Sequence, residues 1–267
     1  MPEFDHSSPV TVSLRVQRGS AEVVAEQRET VRVDVTAPDG TDATDQFTIA
    51  LDGDTLIVHA PDAGGWAWRR TAKVHVAVRV PLDSTVAAKS AAADLRLAGR
   101  YTTVQAVLSS ADVHLEYATG DVQLKSSSGD ITVDRVGGSL RMNTASGELR
   151  AGDVTGDVSA GTASGDIAIH RVGGSVNAQA ASGDVEIGTI SQGRADLRSM
   201  SGDVTVGVAP GTGVWLDLTT ASGSTTSDLA MGDTPPEGRA AATLELRVRT
   251  ASGDINVHRA LGHPAAA

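Results

Sequence analysis

Hydrophobic and polar residues alternate along most of this chain, as in Ile131-Thr132-Val133 and Ile167-Ala168-Ile169, and helical 3.6-residue spacing is absent. A period of two marks a strand with one buried face, so the pattern predicts an all-β protein. The alternation is itself repeated. The strings SSSGDITV from Ser126, TASGELRA from Thr144, TASGDIAI from Thr162, AASGDVEI from Ala180, SMSGDVTV from Ser199 and TASGDINV from Thr250 recur down the chain. Gly129, Gly147, Gly165 and Gly183 stand 18 residues apart, with Gly138, Gly156 and Gly174 midway, so the underlying unit is 9 residues. Gly120, Ala111 and Ala93 carry the phase backwards. Forwards the spacing stretches to 19 at Gly202, 21 at Gly223 and 30 at Gly253, which places a loop insertion at Asp228 to Ala242.

Short repeats of this kind bury their apolar face by stacking on one another. Seven, five and three residues before each SG glycine the side chains form columns. The third column is always small: Thr144, Thr162, Ala180, Ser199, Thr220, Thr250. Small side chains leading into a glycine predict a narrow corner where the glycine takes positive φ. Gly129, Gly147, Gly165, Gly183, Gly202 and Gly253 are the expected structural corners. The expected fold is a single-domain parallel β-solenoid, a β-roll or β-helix, over residues 89–260, with about nine coils at the usual strand spacing. Coils of two or three faces both fit 18 residues.

Residues 1–88 carry hairpin signals instead: VTVSLRV, TVRVDV, FTIAL and TLIVHA around a turn at Asp52-Gly53, then KVHVAVRV stopped by Pro81. They predict an N-terminal antiparallel β-meander capping the first coil. Residues 261–267 read as a flexible tail. Only HRALGHPAAA follows the strands of Leu244 to Val257, so this C-terminal coil is expected to offer an open edge for self-association or an unknown protein partner. Arg247, Arg249, His258 and Arg259 blunt that edge in part.

Aromatic residues are only 3% of the chain, which leaves Val, Ile, Leu and Ala to build the core. The absence of Cys removes disulfides, thiolate metal sites and thiol nucleophiles. A net charge of −11 opposes phosphate backbones and anionic lipid, so neither nucleic acid nor direct membrane insertion is expected. No window of about 20 apolar residues and no basic-then-apolar leader stands in the chain. The expected setting is cytoplasmic, with peripheral envelope association through a partner as the alternative.

Ser precedes the glycine at Ser128, Ser146, Ser164, Ser182, Ser201, Ser222 and Ser252. A nucleophile needs a base and an orienting group, which seven equivalent serines cannot all have. Turn formation and hydroxyl bonds between coils are the expected roles. Acids follow the glycine at Asp130, Glu148, Asp166, Asp184, Asp203 and Asp254, and stacked at strand spacing they would repel. Either each accepts N–H groups at its own corner, or the row binds divalent cations. One Gly before one Asp is not the multi-glycine nonapeptide of calcium rolls, so no metal or other cofactor is expected.

Trp66 and Trp68 share a face in an extended segment beside Arg69 and Arg70, a candidate partner contact or an apolar plug for a solenoid end. Seven scattered histidines are expected to face solvent. No coil gathers the paired carboxylates that glycoside cleavage requires, so no catalytic residue is named and an enzyme is not expected.

The Val80-Pro81 step closing a strand-rich segment, followed by six SG-[DE]-[VIL] copies, resembles the bacterial "putative adhesin" family of β-strand-repeat proteins, a domain of unknown function. The resemblance spans nearly the whole chain. It implies a β-solenoid and, in many relatives, a surface or envelope setting with a membrane segment, and it supplies no catalytic residues. The expected function is a non-catalytic β-solenoid scaffold for protein interaction or self-assembly. The alternatives are a glycan-binding or glycan-cleaving β-helix and a calcium-stabilised β-roll.

Overall fold

A computed structural model describes residues 2–61, 73–229 and 243–260. The chain divides into two compact units, Met1–Gly138 and Ser139–Ala267. The first contains β1 (Glu3–Asp5), β2 (Thr11–Glu26), β3 (Thr30–Thr36), β4 (Thr48–Asp52), β5 (Thr55–His59), β6 (Val74–Pro81), β7 (Ser84–Leu108), β8 (Val113–Ala118), β9 (Val122–Lys125) and β10 (Ile131–Val136), with a 3-10 turn at Thr44–Gln46. Among the described residues three strand pairs are antiparallel, β1 with β3, β3 with β6, and β4 with β5. The β4–β5 turn falls at Asp52-Gly53, where Gly53 has φ +55°.

β2 runs parallel to β5, β6 and β7, so parallel pairing begins at Thr11, within the segment that reads as an antiparallel meander. The reason is visible in its burial. Val12, Leu14 and Val16 are buried, then Ala21, Val23 and Ala25, with Gly19 at φ +118° between the two runs. β2 is thus a full coil without the SG signature, and Gly19 pairs with Ala93, the position to which the glycine phase extends backwards. β7 carries the winding onward, pairing with β2 over residues 85–99, with β8 from Leu95 and with β9 from Val104. Tyr101 is fully buried, and its hydroxyl donates to Val23 O at 2.6 Å. Burial pushes this phenol's pKa well up.

The second unit contains β11 (Leu140–Asn143), β12 (Leu149–Val154), β13 (Val158–Ser164), β14 (Ile167–Val172), β15 (Val176–Ser182), β16 (Val185–Ile190), β17 (Gly193–Ser201), β18 (Val204–Val208), β19 (Val214–Ser222), β20 (Thr225–Ser227), β21 (Leu244–Ser252) and β22 (Ile255–Arg259). One side stacks β11, β13, β15 and β17, the other β12, β14, β16 and β18, all parallel. Each coil has two strands. The second is kinked: in β14 Ile167 and Ile169 face in, His170 and Arg171 face out, and Val172 turns in again.

Stacking order then departs from chain order. β21 lies between β17 and β19, and β22 lies between β18 and β20. This corrects the expectation of an open C-terminal coil: Leu244, Leu246, Val248, Ile255 and Val257 are all buried, with strands on both sides. The terminal coil among the described residues is β19–β20, which precedes β21–β22 in sequence.

The core is aliphatic, and outward positions are tolerant. Ala168 is half-buried between the inward Ile167 and Ile169, beside Arg150 and Glu186 on the neighbouring coils. Ala168→Thr is expected to change stability by less than about 0.5 kcal/mol in urea unfolding, because a β-branched residue suits an outward strand position.

Candidate functional site

Gly129, Gly147, Gly165, Gly183, Gly202 and Gly253 have φ between +133° and +149°. Gly129, Gly165, Gly183, Gly202 and Gly253 each sit at a bend against the backbone of a neighbouring coil. A Cβ at Gly165 would lie 2.2 Å from Gly147 O, and one at Gly183 2.0 Å from Gly165 O. The SG serines bond between coils through their carbonyls: Ser164 O accepts from Gly147 N, and Ser201 O from Gly183 N, each at 3.0 Å. This corrects the expected hydroxyl role. Coil-to-coil hydroxyl bonds come from the small column three residues before the glycine. There Ser199 Oγ donates to Gly183 O at 3.0 Å and Thr250 Oγ1 to Gly202 O at 3.2 Å. A buried hydroxyl needs an acceptor, and the corner carbonyl below supplies one.

The acid column does not bond at its own corners as expected. Asp94, Asp112, Asp166, Asp184, Asp203 and Asp254 each accept the backbone N–H of the equivalent residue one coil on, rather than one at their own corner, whereas Glu148 pairs with Arg150. In the first unit Asp94 accepts from Asp112 N and Asp112 from Asp130 N, at 3.1 and 2.9 Å. In the second, Asp166 accepts from Asp184 N, Asp184 from Asp203 N, Asp203 from Asp254 N, and Asp254 from Ser224 N, at 2.7 to 2.8 Å. These charge-assisted bonds offset the repulsion of stacked acids. Among the described residues no three His, Asp or Glu side chains gather as a metal-binding group. The ladder also fixes direction: Ser224, on the last coil, donates to it without extending it.

The bonds from Ser224 hold the Asp254 carboxyl below the usual carboxylate range. A depressed folded pKa stabilises fully above the unfolded value and is lost as pH falls through the folded one. Asp254→Asn, which keeps an acceptor but no charge, is therefore expected to be less stable than the native chain at neutral pH. The difference should narrow below about pH 4, read by urea unfolding at both pH values.

Trp66, Trp68, Arg69 and Arg70 lie outside the described residues. The six described histidines, His6, His59, His75, His114, His170 and His258, are exposed or half-exposed. His59 and His75 are hydrogen-bonded to Ser13 and Ser20, and His114 to Asp134.

The most differentiated surface lies on β17, β21 and β19, where register sets Arg194, Glu245 and Trp215 in one row, Asp196, Arg247 and Asp217 in the next, and Arg198, Arg249 and Thr219 in a third. Arg247 reaches Glu245 at 2.9 Å and Asp217 at 4.0 Å, and its guanidinium lies 5.5 Å from the Trp215 ring centre. Arg249 approaches Asp217 at 3.8 Å, Arg194 approaches Glu245 at 3.9 Å, and Arg198 holds Asp196 at 3.0 Å. Direct stacking of β19 on β17 would set Asp217 against Asp196. With β21 between them, Arg247 separates the two carboxylates, while Arg249 comes opposite Arg198. Beside this face Ala163, Ala181, Met200 and Ala251, with Arg198 and Arg249, line a shallow trough of about 550 Å³, and Met200 is 65% exposed. The sequence reading missed this face. The signal was present in the opposite charges at equivalent repeat positions and in the Ser that replaces Asp at 224.

A family model described as Toastrack DUF4097 matches residues 12–258. The chain belongs to the Toastrack family. Among solved structures the Toastrack chain is similar to a "putative adhesin" from Bacteroides fragilis at 11% identity, covering 96% of this chain and 95% of that one, with a TM-score of 0.52. It is similar to a "putative lipid binding protein" from Parabacteroides distasonis at 15% identity, with the same coverages and a TM-score of 0.55. At these identities the likeness shows the fold. No curated protein matches the chain. Among the described residues no helix of this Toastrack protein is long and apolar enough to cross a membrane.

Proposed function

We propose that this Toastrack chain is a non-catalytic β-solenoid scaffold for protein interaction. The observation that carries the reading is the use of the acid column: carboxylates that would otherwise serve chemistry accept backbone amides coil after coil. A cytoplasmic or envelope-peripheral setting belongs to the same proposal, and fractionation of the native cells tests it. For the chemistry, the purified chain is incubated with a panel of polysaccharides and release of reducing ends is measured. No release is expected. Release that disappears on substitution of a single acid would overturn the scaffold and favour a glycan-cleaving β-helix.

A second reading, binding of an apolar ligand, is favoured by the trough at Ala163, Ala181, Met200 and Ala251. The solved neighbour described as lipid binding supports it. Saturable displacement of a fluorescent fatty-acid probe, weakened by Met200→Glu, is the expected result on that reading. Absence of saturable binding would remove it.

A further inference from the structure

We propose that β19 pairs edge to edge with β19 of a second copy of this chain, which deepens the scaffold reading and rests on it. Among the described residues β19 borders β21 alone. Gly213 O accepts from Leu244 N, so the alternation of a parallel ladder directs the backbone of Gly213, Trp215, Asp217 and Thr219 at β21. Val214, Leu216, Leu218 and Thr220 then present their N–H and C=O groups at the open side. The same residues face the core and are only half-buried, whereas Leu244, Leu246 and Val248, one coil in, are 0% exposed. The apolar core therefore runs out to this edge.

The other open edges among the described residues are short, and β20, which borders β22 alone, has only three residues. β1 has three residues, two of them Glu3 and Asp5, and β4 has five, ending in Asp52. Short length and charge are the usual means of preventing edge pairing. β19 has nine residues, VWLDLTTAS, with one charge, no Pro, no Lys and no register shift against β21.

The sequence of β19 fits its own twofold image. An antiparallel pairing centred on Leu218 uses the whole strand: Leu218 meets Leu218, Leu216 meets Thr220, Val214 meets Ser222, Trp215 meets Ala221, and Asp217 meets Thr219. Residues that meet are both edge-directed or both not, as antiparallel pairing requires, and they point to the same face. The inward row Leu216, Leu218 and Thr220 becomes continuous across the axis. The single charge meets a hydroxyl and never its own copy, the self-complementarity of a twofold interface. The net charge of −11 opposes association at low ionic strength, so added salt should favour the dimer.

Light scattering on the full chain over a concentration series, at low and high salt, tests the pairing. The expected result is a mass rising from one chain towards two, with more dimer at high salt. Leu218→Lys, which sets two ammonium groups against each other on the axis, should leave a monomer with native circular dichroism. Thr219→Lys, on the exposed face opposite the partner's Asp217, should keep or strengthen the dimer at low salt, so the idea stays testable even if the first variant fails to fold. The chain has no Cys, so Leu218→Cys should give a disulfide-linked dimer under mild oxidation, because residues facing on the axis lie within bridging distance. A native chain that is monomeric at high micromolar concentration in high salt, or a dimer insensitive to Leu218→Lys and uncrosslinked by Leu218→Cys, overturns the pairing. Either result leaves the scaffold reading intact, since that falls only to turnover.

Discussion

Gly165→Val is expected to lower stability by about 3–5 kcal/mol, seen as a large fall in the urea midpoint. Two independent costs add. At φ +137° an L-residue is strained, and its Cβ would press on Gly147 O at 2.2 Å, a backbone atom with no room to retreat. Gly40 separates the two. Its φ is +83° with no atom within 4 Å of the added Cβ, so Gly40→Ala carries strain alone and should cost about 1 kcal/mol. A Gly165→Val midpoint no lower than that of Gly40→Ala would show that the coils do not stack as described.

Arg247→Glu should have the second-largest effect, about 2 kcal/mol. The side chain is one-third exposed, so its ion pairs alone are worth little. Reversal does more, placing three acids in register at 196, 247 and 217 and removing the cation from Trp215. The loss should concentrate in residues 244–259 and 214–227, where amide hydrogen exchange should accelerate while residues 139–190 keep their protection. Adding Asp217→Arg should restore part of the stability, a coupling that a double-mutant cycle measures. Uniform acceleration through the second unit would contradict a role confined to the inserted coil.

Much of the fold was legible because a β-coil repeats its demands. Ile167 and Ile169 must face in, Gly165 must turn, and an acid must follow it; the same residues recurring every 18 positions reveal winding without any partner being known. β2 was harder to read because one coil needs only two apolar runs and a turn. Arg18-Gly19-Ser20 supplies that turn without the recurring string, so alternation alone suggested a hairpin. Chain order also hid the exchange of the last two coils. Repeat phase is identical for stacking on any neighbour, and only outward side chains, such as those at 196, 217 and 247, differ between orders. Outward positions are where a solenoid's sequence is least constrained by its core, so the face with the most individual chemistry was the least visible.

The insertion of β21–β22 has a consequence for how the protein is made. Residues 214–227 leave the ribosome before residues 244–259, at a time when the slot on β17–β18 is empty and matches their repeat phase. Synthesis proceeds at about 5–20 residues per second, slowly enough for a coil to dock on what is already folded. The first arrival can therefore occupy the position that belongs to the second. In the native order β21 stacks on β17 and β19 stacks outside it, so this end of the solenoid is completed only once residues 244–259 have been made.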